Sequence, residues 1–185
     1  MARPLKLFGH SVWGAFSGFG MLIAVLAFAT DRLHKWWSLH VLDMPNVGRI
    51  TVTPNFDIVM AWNKGVSYGL FQADSTLGLV GLVVFALAIV IGLGLWLAKA
   101  EHKWLAIAIG LIIGGALGNV LDRVIYGAVA DFFSFHAFGF YWYIFNIADI
   151  WIAFGVGLIL IESFFPNVFA PKRPMGEADA KQDGE

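Results

Sequence analysis

Two aspartates lie where an apolar chain has little reason to hold them. Asp122 closes one long apolar run, and Asp149 sits five residues inside the next. An ionisable side chain at membrane depth costs about 2.5–3.5 kcal/mol on insertion scales. Each acid has an asparagine one turn earlier, Asn119 before Asp122 and Asn146 before Asp149. Two carboxylates a few ångströms apart cannot easily both ionise, so one holds a proton near neutral pH. The ionised partner can take a proton from water while the neutral one donates to a carbonyl oxygen. That is general acid–base hydrolysis without a covalent intermediate. Taken singly, either acid also has a structural reading. Asp122 could pair with Arg123 or cap a helix end, and Asp149 could sit in a first helical turn, where the dipole favours a carboxylate.

Other chemistries lack their residues. The chain has no cysteine, which removes disulfides, thiolate metal sites and a cysteine nucleophile together. His10, His34, His40, His102 and His136 form neither an H-E-x-x-H motif nor an i,i+4 pair, so a zinc hydrolase would lack ligands. No metal or cofactor is expected. His34 and His136 read as interfacial, and Glu162 as a carboxylate snorkelling from the end of the last apolar run. Asp31 and Lys35, four apart, form either a helix-end salt bridge worth under ~1 kcal/mol or a brace for the site. Arg123 and Asp131 could form an equivalent brace, or Arg123 could hold a carbonyl or phosphate with its fork of donors.

The elements that must position these residues are membrane elements. Of 185 residues 59% are hydrophobic and 14% charged, with mean hydropathy +0.74, against about 25% charged in soluble domains. Runs 11–30, 75–98, 104–121 and 144–165 each suit a helix spanning a bilayer, which takes roughly 17–25 residues. The expected fold is a mostly α membrane protein, four transmembrane helices with a small extracytoplasmic β-sheet segment at 31–74 between helices 1 and 2. Residues 1–166 form one domain, and 167–185 a polar, disordered tail. Arg3 and Lys6 ahead of the first run, with Ala27-Phe28-Ala29 after it, resemble a signal peptide, but the run is longer than the roughly 7–15 residues of an h-region. It is read as an uncleaved helix. A net charge of −1 without a basic run longer than two residues argues against nucleic acid.

Four spans put both termini on one side, and the lysine and arginine bias, seven against five, makes that side cytoplasmic. Asp31, Asp122 and Asp149 then converge on the opposite face. Gly110, Gly114 and Gly118 recur every four residues with Asp122 next in line, a stripe that lets helices approach closely in lipid. Asp149, Ala153 and Gly157 repeat the spacing, so both acids are expected to face the bundle interior and each other. In the long segment, Ile50, Val52, Phe56 and Ile58 alternate around Pro54-Asn55 as strands do. Asn63-Lys64-Gly65 is a turn, and a further strand is expected over 66–71. Trp36-Trp37 and the aromatic loop 123–143 suit the headgroup region.

Three blocks resemble the lipoprotein signal peptidases, the type II signal peptidases of bacterial inner membranes. Gly118-Asn119-Val120-Leu121-Asp122-Arg123, followed by Gly127 and Asp131-Phe132, is similar to the family's G-N-x-x-D-R block. Phe145-Asn146-Ile147-Ala148-Asp149 is similar to its F-N-x-A-D block, and Asn63-x-Gly65-x-Ser67-Tyr68-Gly69 to its N-x-G-x-[AS]-F-[GS] block. The resemblance implies that Asp122 and Asp149 are the catalytic pair. It implies also that Asn63, Asn119, Arg123, Asp131, Asn146 and Ala148 line or support the site. Asp31 and Lys35 match the family's D-Q-x-x-K, with Arg32 in place of the usual glutamine, and Tyr68 replaces the usual phenylalanine. The implied substrate is a prolipoprotein whose cysteine carries a diacylglyceryl group, cut on the amino side of that cysteine by a monomeric enzyme of the bacterial inner membrane. Membrane lipid is the other implied partner. Two rivals remain on residues alone: a proton- or cation-coupled transporter using the paired carboxylates, and a lipid-binding membrane protein without turnover.

Overall fold

The computed structural model describes residues 5–7, 10–65 and 75–165. The strand expected over 66–71, the Ser67-Tyr68-Gly69 part of its block and the tail 167–185 lie outside them. In chain order the elements are β1 (Leu5–Leu7), β2 (His10–Trp13), α1 (Ser17–His40), α2 (Met44–Val47), β3 (Arg49–Thr53), β4 (Phe56–Asn63), α3 (Thr76–Leu97), α4 (Lys103–Tyr126), β5 (Val129–Ala137), β6 (Phe140–Tyr141) and α5 (Ile147–Phe164). Among the described residues three helices, α3, α4 and α5, are long and apolar enough to cross a membrane.

Helix α4 is the hub, with α1, α3 and α5 packed around it. Small residues explain the close approach. A Cβ on Gly110 would strike the Gly20 carbonyl, and one on Gly114 the Ala24 carbonyl, both on α1. One on Gly115 would lie 2.5 Å from the Ala148 carbonyl of α5. Helix α1 answers with a single buried stripe, Gly20, Ala24, Ala27, Asp31, Lys35 and Ser38, spaced three and four residues apart as one helical face requires.

Several expected boundaries move. α1 does not stop at residue 30; it runs ten residues further to His40, so Asp31 and Lys35 are mid-helix residues on the packed face rather than a helix-end pair. α4 likewise continues past Asp122 to Tyr126, where Gly127 at φ 75° closes it in the left-handed conformation. α5 starts only at Ile147, capped by Asn146. Its packed face is offset from the expected one. Ala148 and Gly155 are buried, whereas Ala153 is exposed and Gly157 meets nothing within 4 Å.

The sheet is antiparallel with order β3-β4-β5-β6, so it draws half its strands from the segment expected to be loop. Ile50 faces Ile58 across the β3–β4 pair, and Ala61 faces Asp131 across β4–β5. Beneath it Leu39, Met44, Ala130 and Phe132 form a buried cluster that docks the sheet on the end of α1. A two-residue turn at Phe138 and Gly139, both at positive φ, joins β5 to β6.

Candidate active site

Asp122 points at α1. The Arg32 Nη2 donates to its Oδ1 at 2.6 Å, and the Lys35 Nζ pairs with its Oδ2 at 2.7 Å. Lys35 also pairs with Asp31 at 3.1 Å and donates to the Asn119 Oδ1 at 3.1 Å. Asp31, Lys35 and Asp122 are buried. Two carboxylates thus meet two cations, and the group is electrically balanced in a place where an unpaired charge would cost several kcal/mol. The reason is the glycine stripe. It carries Asp122 toward α1, the helix that Gly110 and Gly114 already abut, and Gly118 leaves room for the Asp31 carboxylate. The interior-facing expectation for Asp122 therefore resolves toward α1 and its cations, with neither Arg123 nor a helix cap as partner.

The remaining oxygens of these acids grip the backbone. Asp122 Oδ2 accepts the N–H of Ala130 at 3.2 Å, and Asp31 Oδ1 accepts the N–H of Ala148 at 3.1 Å. Ala130 and Ala148 are the residues immediately before Asp131 and Asp149. One lysine-centred cluster so fixes the chain on both sides of a second pair of carboxylates.

That second pair is held by amides. Asn146 Nδ2 donates to Asp131 Oδ1 at 2.6 Å, and Asn63 Nδ2 to Asp131 Oδ2 at 3.1 Å. Asn119 Nδ2 donates to Asp149 Oδ1 at 3.0 Å, while the Asn146 backbone N–H donates to Asp149 Oδ2 at 3.1 Å. Asn146 Oδ1 in turn accepts the Asp149 N–H at 3.1 Å, completing a reciprocal cap of α5. Asn146 Nδ2 also reaches Asn119 Oδ1 at 3.1 Å. Among the described residues neither Asp131 nor Asp149 forms an ion pair. Burial, and then the negative charge of Asp149, push the Asp131 carboxyl up to about 7. Asp131 is buried and Asp149 half-buried.

Arg123 forms no ion pair with Asp131. It donates to the Gly65 carbonyl at 2.7 Å and to the Asn119 carbonyl at 3.3 Å, holding the chain that follows Asn63. Gly65-Val66-Ser67-Tyr68-Gly69 also spells the G-x-S-x-G pattern of serine hydrolases, which needs a strand–turn–helix; residues 66–74 lie outside the described ones. Three polar contacts have no signal in residue spacing. Arg32, a departure from the family pattern, reaches Asp122. Glu162 contacts His102 Nε2 at 2.5 Å while His102 Nδ1 accepts the Leu105 N–H, so it ties α5 to the start of α4 rather than snorkelling. His136 lies 3.2 Å from Asp57 and stacks on Tyr141.

With this geometry in hand, comparison with known proteins is specific. The family model described as signal peptidase (SPase) II matches residues 23–165. The lipoprotein signal peptidase of Nitrobacter hamburgensis is 44% identical over 158 residues, covering 82% of this chain and 96% of that protein. That of Methylorubrum extorquens is 46% identical over 154 residues, covering 83% and 88%. A solved bacterial membrane enzyme, determined by the in meso method at 2.3 Å resolution, superposes with a TM-score of 0.71 at 28% identity, covering 89% of this chain and 98% of that one. A match of this extent, in sequence and in fold, places the chain in the signal peptidase II family of aspartic-type peptidases.

Proposed function

We propose that Asp131 and Asp149 are the acid–base pair of this peptidase and that Asp122 is their scaffold. One observation carries the assignment. Asp122 is neutralised by Arg32 and Lys35, whereas Asp131 and Asp149 meet only amide donors and share Asn146, and the charge of Asp149 acts on Asp131. A carboxylate with each oxygen engaged by a cation has none free to hold a water; two carboxylates without counter-ions hold one proton between them. This moves the catalytic role that the sequence pattern gave Asp122 onto Asp131 and keeps Asp149.

The protein removes signal peptides from prolipoproteins. In the proposed mechanism Asp149, ionised, takes a proton from a water lying between the carboxylates, and the water attacks the scissile carbonyl. Asp131, protonated, donates to the carbonyl oxygen as it gains charge, and the proton returns through the pair to the leaving amine. Asn119 and Asn146 hold Asp149 to one rotamer, so little reorganisation is left for the reacting state. The substrate is a precursor with a diacylglyceryl-modified cysteine, whose acyl chains gain about 0.8 kcal/mol per buried methylene. The transporter reading finds no support in a peptidase family.

α1 serves as the fourth span. Its 24 residues reach about 36 Å at 1.5 Å each, and its charges are paired inward against α4. Termini in the cytoplasm, a bacterial inner-membrane location, a monomeric enzyme and a site at the extracytoplasmic face complete the reading, supported by the charge bias and by the sheet capping one end of the helices. Cleavage of a diacylated precursor by purified protein in detergent, followed by gel shift, tests it. Asp131→Asn and Asp149→Asn should each abolish the shift in folded protein, and turnover in either would overturn the pair. Because the chain lacks cysteine, single cysteines placed at Asn46 and Glu101 report the topology by labelling from opposite sides.

A further inference from the structure

We infer that Arg32 is a positioning residue for peptide cleavage, acting on Asp131 through Asp122; this rests on the Asp131–Asp149 reading. Asp122 has two oxygens with different duties. Oδ2 is shared between the Lys35 Nζ at 2.7 Å and the Ala130 N–H at 3.2 Å, while Oδ1 receives the Arg32 Nη2 at 2.6 Å. Lys35 has no donor to spare. Its three N–H bonds face Asp31, Asp122 and Asn119.

Without Arg32 the buried cluster holds two carboxylates against one ammonium, and Oδ1 of Asp122 loses its donor. The carboxylate is then free to turn, and Oδ2 leaves the Ala130 N–H. Ala130 is fully buried in β5, where it pairs with Trp62 of β4. Its N–H bond to Asp122 is the grip from the helical side that sets the height of Asp131 above α4. Arg32 therefore reaches the reacting carboxyl through one carboxylate and one peptide unit, without touching substrate. Its guanidinium suits the task because Nη2 engages Asp122 while Nε faces Asp31 at 3.7 Å.

The test measures kcat and KM of the full chain in detergent on a diacylated precursor peptide, for Arg32→Gln and Arg32→Lys. Arg32→Gln removes the charge, and its amide ends two bonds short of the Nη2 position, so Oδ1 also loses its donor. The change should lower kcat roughly tenfold or more, as small misplacements of reacting groups do, with KM within about twofold. Arg32→Lys restores the charge and should recover most of that loss. In an Asp122→Asn background, Arg32→Gln should change kcat by less than about twofold, since the path is already cut. A kcat for Arg32→Gln within about twofold of the parent overturns the inference, as does a rise in KM alone, which would mean substrate contact. A lower melting temperature with unchanged kcat also overturns it, leaving Arg32 merely structural. If Asp122→Asn does not fold, the Gln and Lys comparison decides. Turnover by Asp131→Asn would overturn the dyad itself, whereas normal Arg32→Gln beside an inactive Asp131→Asn overturns the Arg32 role alone.

Discussion

Asp122 accepts the backbone N–H of Ala130 at 3.2 Å, one residue before Asp131, just as Asp31 accepts that of Ala148, one residue before Asp149. In the proposed assignment two scaffold acids thus locate the two reacting ones, and Lys35 joins the scaffold pair at 3.1 and 2.7 Å. Strand β5 and the entry to α5 are also tied directly, Phe133 and Phe145 exchanging backbone hydrogen bonds, and the shared cation adds a second tie one residue before each acid.

This division predicts opposite effects on stability from similar substitutions. Asp122→Asn leaves Arg32 and Lys35 short of a partner in a buried place, and should cost about 3–5 kcal/mol. Asp131→Asn removes a buried carboxylate without a counter-ion, and should leave the melting temperature unchanged or higher above neutral pH. Its activity should nevertheless fall roughly 10²–10⁴-fold. Thermal unfolding in detergent beside the cleavage assay separates the two; equal destabilisation by both would contradict the assignment.

The pH dependence follows from Asp131. Its carboxyl is raised to about 7 in the folded chain, from an ordinary 3.8, and the proposed acid must be protonated. kcat should therefore fall as pH rises through about 7. Stability moves in the same direction. The folded state binds a proton that the unfolded state has released, so the contribution is fully present below 3.8 and is lost as pH rises to about 7. Asp149→Asn removes the neighbouring charge and should bring the Asp131 titration down. The carboxylic acid C=O stretch in infrared spectra reads it directly; a titration unmoved by Asp149→Asn would mean the two acids are not coupled.

Much of this architecture is legible in the residues, and the misreadings have physical causes. The Gly110–Gly118 stripe announces a close helix contact, but spacing does not say which helix faces it, so Asp122 could be aimed at α5 as plausibly as at α1. On α5 the packed pair is Ala148 and Gly155, about 100–120° around the helix from Asp149 and farther still from Ala153 and Gly157. Strand β5 escaped because residues 129–132 are all buried. A strand covered on both faces shows no alternation of apolar and polar residues. β3 and β4, flanking Pro54-Asn55, do alternate and were readable. Lys35 reads as a surface partner of Asp31 only while α1 is taken to end at residue 30.

Asn146 has two duties that substitution can part. As N-cap it accepts the Asp149 N–H, and as an amide it donates to Asp131 at 2.6 Å. Asn146→Asp keeps the cap but sets a third carboxylate against Asp131. Asn146→Ala loses both, and should cost about 1 kcal/mol for the cap alone. Asn146→Asp should therefore be the more stable of the two at low pH, yet as inactive as Asn146→Ala at pH 7. An active Asn146→Asp would show that the amide donor is dispensable.

The glycines of α4 and α5 supply the sharpest contrast. A methyl group on Gly118 would collide with the Asp31 Oδ2, the oxygen that Lys35 pairs with. The carboxylate must swing away, and the Ala148 N–H then loses its acceptor on the other oxygen. A methyl group on Gly157 meets nothing within 4 Å, and replacing a helical glycine with alanine gains up to about 1 kcal/mol of helix propensity. Gly118→Ala should therefore lower stability by a few kcal/mol, read as a fall in melting temperature, and kcat at least roughly tenfold. Gly157→Ala should hold or raise stability and leave cleavage unchanged in detergent. Were Gly118→Ala as active as the parent, Asp31 would not be fixing the chain before Asp149, and the two-handed grip on the site would reduce to Asp122 and Ala130.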